Sequence, residues 1–331
     1  MKNYIKFLTT GLISLFVLSG CIYVGPGNYE GGSNYEHNQP VEIFRIYTED
    51  ELAEFLTTKK ISKAKLYGTI YLSNGITISS NEKILDLNGF SIESESYLFH
   101  IRNSAKLTIK NSNTSRISKL KGTYNSNAVI LNDGILSIEG LADSENKHNI
   151  MISSNFMGIK NNCVINYLRC DITVHATAKV SSVVGIYNTL EDDEYATINE
   201  LDANIKCEYL RDYTNDNNDT TAVFNEGYIK AIRKGTYEAY STVYSYGLFN
   251  DGNKGADSGT IDLIESGVNF FADGVLDTNN VTLGAAFNSN EGRIKTNNGK
   301  FIPPLNGAPN NNIRSASETK PLRTPKRPVT E

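Results

Sequence analysis

AVFNEG at Ala222–Gly227 and GLFNDG at Gly247–Gly252 are the clearest copies of a phrase that this chain repeats seven times. Each copy places an asparagine after an apolar run. The other copies are LFHIRN (98–103), VILNDG (129–134), GIKNN (158–162), GIYNT (185–189) and AAFNSN (285–290). The repeated asparagines are Asn103, Asn132, Asn161, Asn188, Asn225, Asn250 and Asn288. Their uneven spacing, which averages about 31 residues, predicts a coil repeat with variable loops.

Proline residues mark the limits of the repeat region. No proline occurs from Val41 to Ile302, a stretch rich in Ile, Val, Thr, Tyr and Asn, whereas all eight prolines lie outside it. Continuous strand pairing requires an amide donor at every residue, and proline has none. We therefore predict one domain over residues 41–302, followed by a disordered, basic, proline-rich tail over 303–331 that is either solvated or attached to wall polyanions.

The repeat region opens with a predicted strand and helix. Val41–Tyr47 alternates in hydrophobicity, and Thr48 followed by Glu51 reads as a capping box. Apolar residues then form one face over 50–60, which predicts a short amphipathic helix. Short strand patterns separated by turns such as Asn88-Gly89 follow. This dipeptide is also compatible with a two-residue hairpin.

The strand, the capping helix and the phrase Ile84-Leu85-Asp86-Leu87-Asn88-Gly89-Phe90-Ser91-Ile92 resemble the opening of pectate-lyase-like parallel β-helix proteins. The later AVFNEG-type blocks resemble the coils of bacterial surface β-helices. The resemblance implies an all-β, right-handed parallel β-helix with an N-terminal capping helix. The repeat length predicts about eight coils. In each coil one asparagine would occupy a tight turn, where asparagine tolerates the left-handed conformation and bonds to the next asparagine. An up-and-down barrel or a sandwich is the alternative fold.

The N-terminus predicts export and lipid anchoring. Residues 1–20 contain Lys2 and Lys6 before an apolar run that is too short to span a bilayer. The run ends in Leu18-Ser19-Gly20-Cys21, which resembles the lipobox of bacterial lipoproteins, so Cys21 is the expected lipidation site and the membrane the expected partner. An ordinary signal peptide is the alternative. Residues 21–40 are rich in Gly and Pro and predict a flexible tether. The signal and the lipid anchor together predict a protein of the cell envelope, outside the cytoplasm.

Charge and cysteine content restrict the partners. The net charge is −5, with +2 in residues 1–20 and +3 in residues 307–331, which leaves −10 for residues 21–306. A body this acidic argues against nucleic-acid binding. Besides Cys21, the chain has Cys163, Cys170 and Cys207. They allow at most one disulfide, and buried, apolar thiols are the simpler interpretation.

The acidic stretch 191–219 is the candidate for catalysis or metal binding. It holds ten acidic residues against Lys206 and Arg211. Enzymes of the superfamily that the chain resembles usually cut acidic polysaccharides, so the resemblance implies Asp192, Asp193 and Asp216 as catalytic candidates, with Lys206 or Arg211 as a base. Asp212, Asp216 and Asp219 offer the oxygen ligands that calcium prefers, although a solvated loop also explains them. No other cofactor is indicated.

Aromatic residues give a second candidate surface. Tyr240, Tyr244 and Tyr246 share strand parity near Tyr237. If they face outward, they form a platform on which sugar rings stack; otherwise they fill the core. The sequence thus predicts a lipid-anchored, non-enzymatic surface protein that binds a glycan or a protein. A polysaccharide lyase or hydrolase and a structural envelope component are the alternatives.

Overall fold

A computed structural model shows an all-β protein, and the residues that it describes include one short helix. It describes residues 43–176, 180, 182–191, 194–209, 219–241, 244–252, 258–274, 286–288, 292–302 and 306–307. All of these residues belong to one compact unit.

The described part of the chain winds through nine coils after an N-terminal cap. The cap comprises β1 (Phe44–Ile46) and α1 (Glu49–Thr57). The first four coils contain β2 (Lys63–Leu66), β3 (Ile70–Leu72), β4 (Ile76–Ile78), β5 (Asn81–Asp86), β6 (Ile92–Ser94), β7 (Phe99–Ile101), β8 (Ala105–Lys110), β9 (Ser118–Gly122), β10 (Ala128–Asn132), β11 (Ile135–Glu139), β12 (Ile150–Ser154) and β13 (Met157–Asn161). Coils five and six contain β14 (Val164–His175), β15 (Ser182–Asn188), the antiparallel pair β16 (Leu190–Glu191) and β17 (Glu194–Tyr195), β18 (Thr197–Tyr209) and β19 (Asp219–Asn225). The last three contain β20 (Tyr228–Lys234), β21 (Thr236–Ser241), β22 (Tyr244–Asn250), β23 (Thr260–Ile264), β24 (Asn269–Gly274), β25 (Ala286–Asn288), β26 (Arg293–Asn297), β27 (Lys300–Ile302) and β28 (Asn306–Gly307).

Equivalent strands of successive coils pair in parallel and form three sheets, which is the arrangement of a parallel β-helix. Sheet I contains β1, β2, β5, β8, β11, the first halves of β14 and β18, β20, β23 and β26. Sheet II contains β3, β6, β9, β12, the second halves of β14 and β18, β21, β24 and β27. Sheet III contains the nine strands β4, β7, β10, β13, β15, β19, β22, β25 and β28. The predicted β-helix is confirmed, and the barrel and sandwich alternatives are excluded.

The coils lengthen along the chain. On sheet I, Lys63 is in register with Ile84, 21 residues later, whereas Leu263 is in register with Thr296, 33 residues later. The sequence estimate of about eight coils assumed a uniform repeat of about 31 residues. The short first coils explain why the chain forms nine coils, although the last strand of the ninth coil, β28, lies beyond residue 302.

Strand alternation fills the interior. In β18, Ala203, Ile205 and Cys207 point inward and are buried, whereas Asn204 and Lys206 point outward. Because neighbouring strands are in register, each inward residue stacks on its counterpart in the next coil. The result is one continuous hydrophobic core that runs through the coils.

The N-terminal cap covers the first coil. Thr48 and Glu51 form the predicted capping box, and Leu52, Phe55 and Leu56 are buried against the core. The helix ends at Thr57, three residues earlier than predicted, because Thr58 is already extended. No helix among the described residues is long and apolar enough to cross a membrane.

Asn88 and Gly89 form a tight turn, but not a hairpin. Both residues have positive φ, 50° and 82°. The strands on either side, β5 and β6, belong to sheets I and II and do not pair with each other. The dipeptide therefore turns the chain from one sheet to the next within a coil.

Candidate functional site

Five of the repeated asparagines form a buried ladder at the ends of sheet III strands. The Nδ2 atom of Asn132 donates to Oδ1 of Asn161 (2.6 Å). The series continues from Asn161 to Asn188, from Asn188 to Asn225 and from Asn225 to Asn250, each at 2.8 Å. All five side chains are buried, so the ladder ties coils together and presents nothing to a ligand.

The ladder differs from the expectation in two respects. Ile101, not Asn103, is in register with Asn132, and Asn103 is exposed in the following turn. The described non-glycine residues with positive φ are Asn81, Asn88 and Asn146, so the ladder asparagines are not left-handed. The ladder asparagines stabilise the coils through their side-chain hydrogen bonds and not through a left-handed backbone conformation. At the other end, the backbone of Asn288 is in register with Asn250.

A groove of about 340 Å³ crosses the outer surface of sheet II. Its floor comes from outward residues of β14, β18 and β21, with Thr173 in register with Lys206 and Lys206 in register with Glu238. Asp171 and Asn204 form a second, parallel row on the same floor. Neighbouring strands lie about 4.8 Å apart, so the floor is a regular array of side chains, which are mostly polar and include Met151 of β12.

One wall of the groove is a short hairpin between Gly140 and Asn149, which we call the wall hairpin. Ala142 and His148 form an antiparallel bridge at its base. At its tip, Oδ1 of Asp143 accepts from the amides of Glu145 (2.8 Å) and Lys147 (2.9 Å). The bond from the Lys147 amide, together with the one from Glu145, lowers the pKa of Asp143. This Asx turn gives the wall its own fixed shape.

Side chains of the floor hold the wall hairpin in place. Asn204 Nδ2 donates to the carbonyl oxygen of Asn146 (2.6 Å) and to Oδ1 of Asp171 (2.9 Å). Asp171 also accepts from the backbone amide of His148 (3.3 Å). The wall and floor are thus one hydrogen-bonded unit.

The two lysines that line the groove are each paired with a carboxylate. Lys206 Nζ lies 2.5 Å from Glu208 Oε1, and Lys147 Nζ lies 2.7 Å from Glu145 Oε2. The groove therefore offers hydroxyl, amide and carboxylate groups, with its positive charges already compensated.

The structure separates the three tyrosines that the sequence groups together. Tyr240 lies on sheet II, half-buried at the edge of the groove floor, whereas Tyr246 is half-buried on sheet III. Tyr244 opens β22 on sheet III, but its side chain lies outside the described residues. Tyr237 is fully buried and stacks on Phe270, with ring centroids 5.0 Å apart. Tyr240 does not line the groove itself, but it contacts two residues that do, Lys206 and Glu238.

Tyr240 presents a ring and a hydroxyl beside the charged floor. Lys206 Nζ lies 5.3 Å from the ring centroid, and the hydroxyl donates to Glu238 Oε2 (3.2 Å). Partial burial, followed by the negative charge of Glu238, raises the pKa of Tyr240 to about 12. The Phe271 ring, 5.4 Å away, extends the aromatic surface to the next coil. The phenol is therefore a neutral hydrogen-bonding group next to an apolar ring.

Most acidic candidates fall outside the described residues. These are Asp192, Asp193, Asp212 and Asp216, and Cys21 lies outside as well. Asp219 begins β19 on sheet III, and only its backbone is described. Within the described ranges, no group of three His, Cys, Asp or Glu side chains is placed to hold a metal ion.

The three cysteines of the body are buried, and no disulfide joins them. Burial raises the pKa of Cys170 and Cys207 well above the usual range. Such thiols are poor nucleophiles, so they act as core residues.

Sequence reasoning missed His148, Asp171 and Asn204. The first lies on an irregular loop, and the other two come from neighbouring coils 33 residues apart. No compact motif joins them, and only the strand register brings them together.

No protein-family model, no curated protein and no solved structure matches this chain. Function is therefore inferred from the geometry of the groove.

Proposed function

We propose that this protein is a non-enzymatic binding protein of the bacterial cell envelope, held to a membrane by a lipid on Cys21. The sheet II groove would hold an uncharged sugar chain against Tyr240. The observation that carries the proposal is the placement of the Tyr240 ring next to the groove, in contact with the floor residues Lys206 and Glu238. An aromatic ring next to fixed hydrogen-bonding groups suits a sugar, which has apolar C–H faces and polar hydroxyls.

The groups on the floor favour hydroxyl-rich ligands. Asp171 and Glu238 are carboxylate acceptors, and Thr173 adds a hydroxyl. Sugar hydroxyls both donate and accept, so each of these groups offers a suitable partner. The rungs follow one another along the sheet, which matches a linear chain better than a compact small molecule.

The charge pattern favours an uncharged chain over an acidic one. A uronate carboxylate requires an available cation, but Lys206 and Lys147 are already paired with Glu208 and Glu145. The remaining charged groups on the floor are the carboxylates Asp171 and Glu238. An acidic polymer would meet these carboxylates at close range and be repelled.

The same pattern favours binding over cleavage. Glycoside hydrolysis needs one carboxyl group that gives up a proton and a second that activates water or attacks. Asp171 accepts from His148 and Asn204, and Glu238 accepts from Tyr240. Both therefore resemble fixed acceptors more than an acid and base pair. The weak catalytic candidates in the acidic stretch stay the basis of the alternative, a lyase or hydrolase.

A polysaccharide panel tests the proposal. The chain from residue 22 onward is presented with uncharged polymers (galactomannan, xyloglucan) and acidic polymers (polygalacturonate, alginate), with and without calcium. Retention and new reducing or unsaturated ends are measured together. We expect retention on at least one uncharged polymer without products, and its loss in Tyr240→Ala. Tyr167→Ala is the matched control, because Tyr167 is 40 % exposed on sheet I, away from the groove.

Each other outcome contradicts part of the proposal. Product formation would make the protein an enzyme. Retention only with calcium would indicate a calcium-dependent site, for which Asp212, Asp216 and Asp219 are the candidate ligands. The absence of retention on every polymer would exclude glycan binding and leave a protein ligand or a structural role.

A further inference from the structure

The wall hairpin is anchored by a buried histidine. His148 closes the hairpin through its bridge with Ala142, and its side chain is only 1 % exposed. The ring covers the corner where β14 and β18 pass from sheet I to sheet II, next to Asp171 and Asp202. A residue of the wall is thus inserted between carboxylates of two successive coils.

Each ring nitrogen of His148 faces one of these carboxylates. Nδ1 lies 3.0 Å from Asp171 Oδ1, and Nε2 lies 3.6 Å from Asp202 Oδ1. Nε2 and Asp202 Oδ1 are both buried, and neither has a hydrogen-bond partner among the described residues. Two buried polar atoms that point at each other in this way are costly unless a proton joins them.

The protonation state of His148 decides whether this cost is removed. A neutral imidazole carries one N–H, so a ring that donates from Nδ1 to Asp171 turns the Nε2 lone pair toward the Asp202 oxygen. An imidazolium donates from both nitrogens and places its positive charge between two negative ones. The charged form therefore turns a positively charged N–H, instead of a lone pair, toward the Asp202 oxygen 3.6 Å away.

The other titratable groups around the ring do not supply an alternative partner. On the wall hairpin, Asp143 adds a further negative charge near His148, while Lys147 is paired with Glu145. On the core side lie the Cys170 thiol and the Tyr237 phenol. Burial raises the pKa of both, so both are neutral and give His148 no charged partner.

We propose that His148 is a positioning residue whose imidazolium form pins the wall hairpin to the fifth and sixth coils, so that the groove is shaped in acid and loosened as pH rises. The pinned state includes Asn204, which shares Asp171 Oδ1 with His148 and also bonds to the hairpin at Asn146. Loss of the His148 proton weakens the contact to Asp202 first and the Asn204 bonds next. As a statement about ligand binding, this inference rests on the proposed function of the groove; as a statement about the hairpin, it does not.

The test uses the full chain and needs no ligand. With histidine ring nitrogens labelled, NMR reports the protonation of His148 between about pH 5 and about pH 8. Hydrogen exchange of the Glu145 and Lys147 amides, corrected for intrinsic rates, reports the hairpin. We expect both His148 nitrogens to carry protons in acid. We also expect exchange of the two amides to become roughly tenfold faster when that proton is lost, as for a lost charge-assisted hydrogen bond.

Variants separate positioning from general stability. His148→Gln and Asp202→Asn are expected to abolish the pH dependence of hairpin exchange, while amides of β8 and β11 keep their protection. His175→Gln is the matched control, because His175 also faces a carboxylate of the next coil, Glu208 at 3.4 Å, but is 52 % exposed. It should leave the hairpin profile unchanged.

Two results would overturn the inference. One is a His148 ring that carries a single proton throughout the pH range. The other is hairpin exchange with the same pH profile in the parent chain and in both variants. If a variant fails to fold, the titration of the parent chain still decides the matter. If hairpin exchange depends on the His148 proton but no polymer is retained, the proposed glycan binding is disproved and the inference about the hairpin stands.

Discussion

Lys206 and Tyr240 lie on neighbouring coils of sheet II, with the ammonium nitrogen 5.3 Å from the ring centroid and 2.5 Å from Glu208 Oε1. The cation is thus already occupied by a ring and a carboxylate before any ligand arrives. A ligand that depends on this charge would have to displace both. This relationship separates the binding of an uncharged chain from the binding of an acidic one.

Salt provides the first prediction. Retention of an uncharged polymer is expected to change less than about twofold between about 50 mM and about 500 mM NaCl, because no ligand charge is screened. Lys206→Gln should likewise retain the polymer. An affinity that falls steeply with salt, or that is lost in Lys206→Gln, would instead indicate an acidic ligand. Affinity electrophoresis at two salt concentrations measures both effects, with Lys119→Gln, an exposed lysine of sheet II, as control.

The asparagine ladder provides the second prediction. Asn188 sits in its middle, accepts from Asn161 and donates to Asn225, both at 2.8 Å. Asn188→Ala leaves these neighbours with buried, unmatched groups, so we expect a loss of about 2–4 kcal/mol in the free energy of unfolding. Asn103→Ala removes an exposed side chain of the same sequence phrase and should change stability by less than about 0.5 kcal/mol. Urea unfolding followed by circular dichroism measures both. Equal losses would contradict the assigned ladder.

The contrast between Asn103 and Asn188 shows which features of the fold can be predicted from the sequence and which cannot. The phrase and its period predicted the β-helix, and Thr48 with Glu51 predicted the cap, because these signals are local. Register is not local: loop lengths decide that Ile101, and not Asn103, is in register with Asn132.

The candidate site depended on register and strand boundaries even more strongly. The parity argument for the tyrosines assumed one strand, but β21 ends at Ser241 on sheet II and β22 begins at Tyr244 on sheet III. Tyr240 and Tyr246 therefore face different surroundings. Asp171 and Asn204 meet only because coil five is stacked on coil six. No pattern within either coil carries that information.

A buried lysine provides the third prediction. Lys83 is fully buried beneath the cap, where its ammonium donates to the carbonyl oxygens of Thr58 and Ile61 and lies 5.1 Å from the Phe55 ring centroid. Burial lowers the pKa of Lys83 below its usual value. Between this lowered pKa and the value of about 10.4 in the unfolded chain, the unfolded state binds more protons. Stability from this group therefore rises with pH through that window.

Lys83→Met should remove this rise. At neutral pH we expect the variant to be about 1–2 kcal/mol less stable, because two buried carbonyl oxygens lose their donor. The stability difference between parent and variant should widen as pH increases toward about 10.4. Lys65→Met, which removes a partly exposed lysine 3.7 Å from Asp86, should show no such widening. A difference that stays constant with pH would disprove the lowered pKa. Urea titrations at a series of pH values provide the measurement.

The close packing of coils at Gly185 provides the last prediction. A Cβ atom at this position would lie 2.4 Å from Ile205 Cγ2 and 2.5 Å from the backbone oxygen of Ala222. Backbone atoms of the next coil cannot move away without breaking their own pairing, so Gly185→Ala should cost about 2 kcal/mol or more. Gly68→Ala is the matched control, since its Cβ would meet only Tyr47 O, at 3.9 Å, and should change stability by less than about 0.5 kcal/mol. Thermal unfolding of the two variants decides: similar melting temperatures would mean that the sixth coil is not packed on the fifth at this distance.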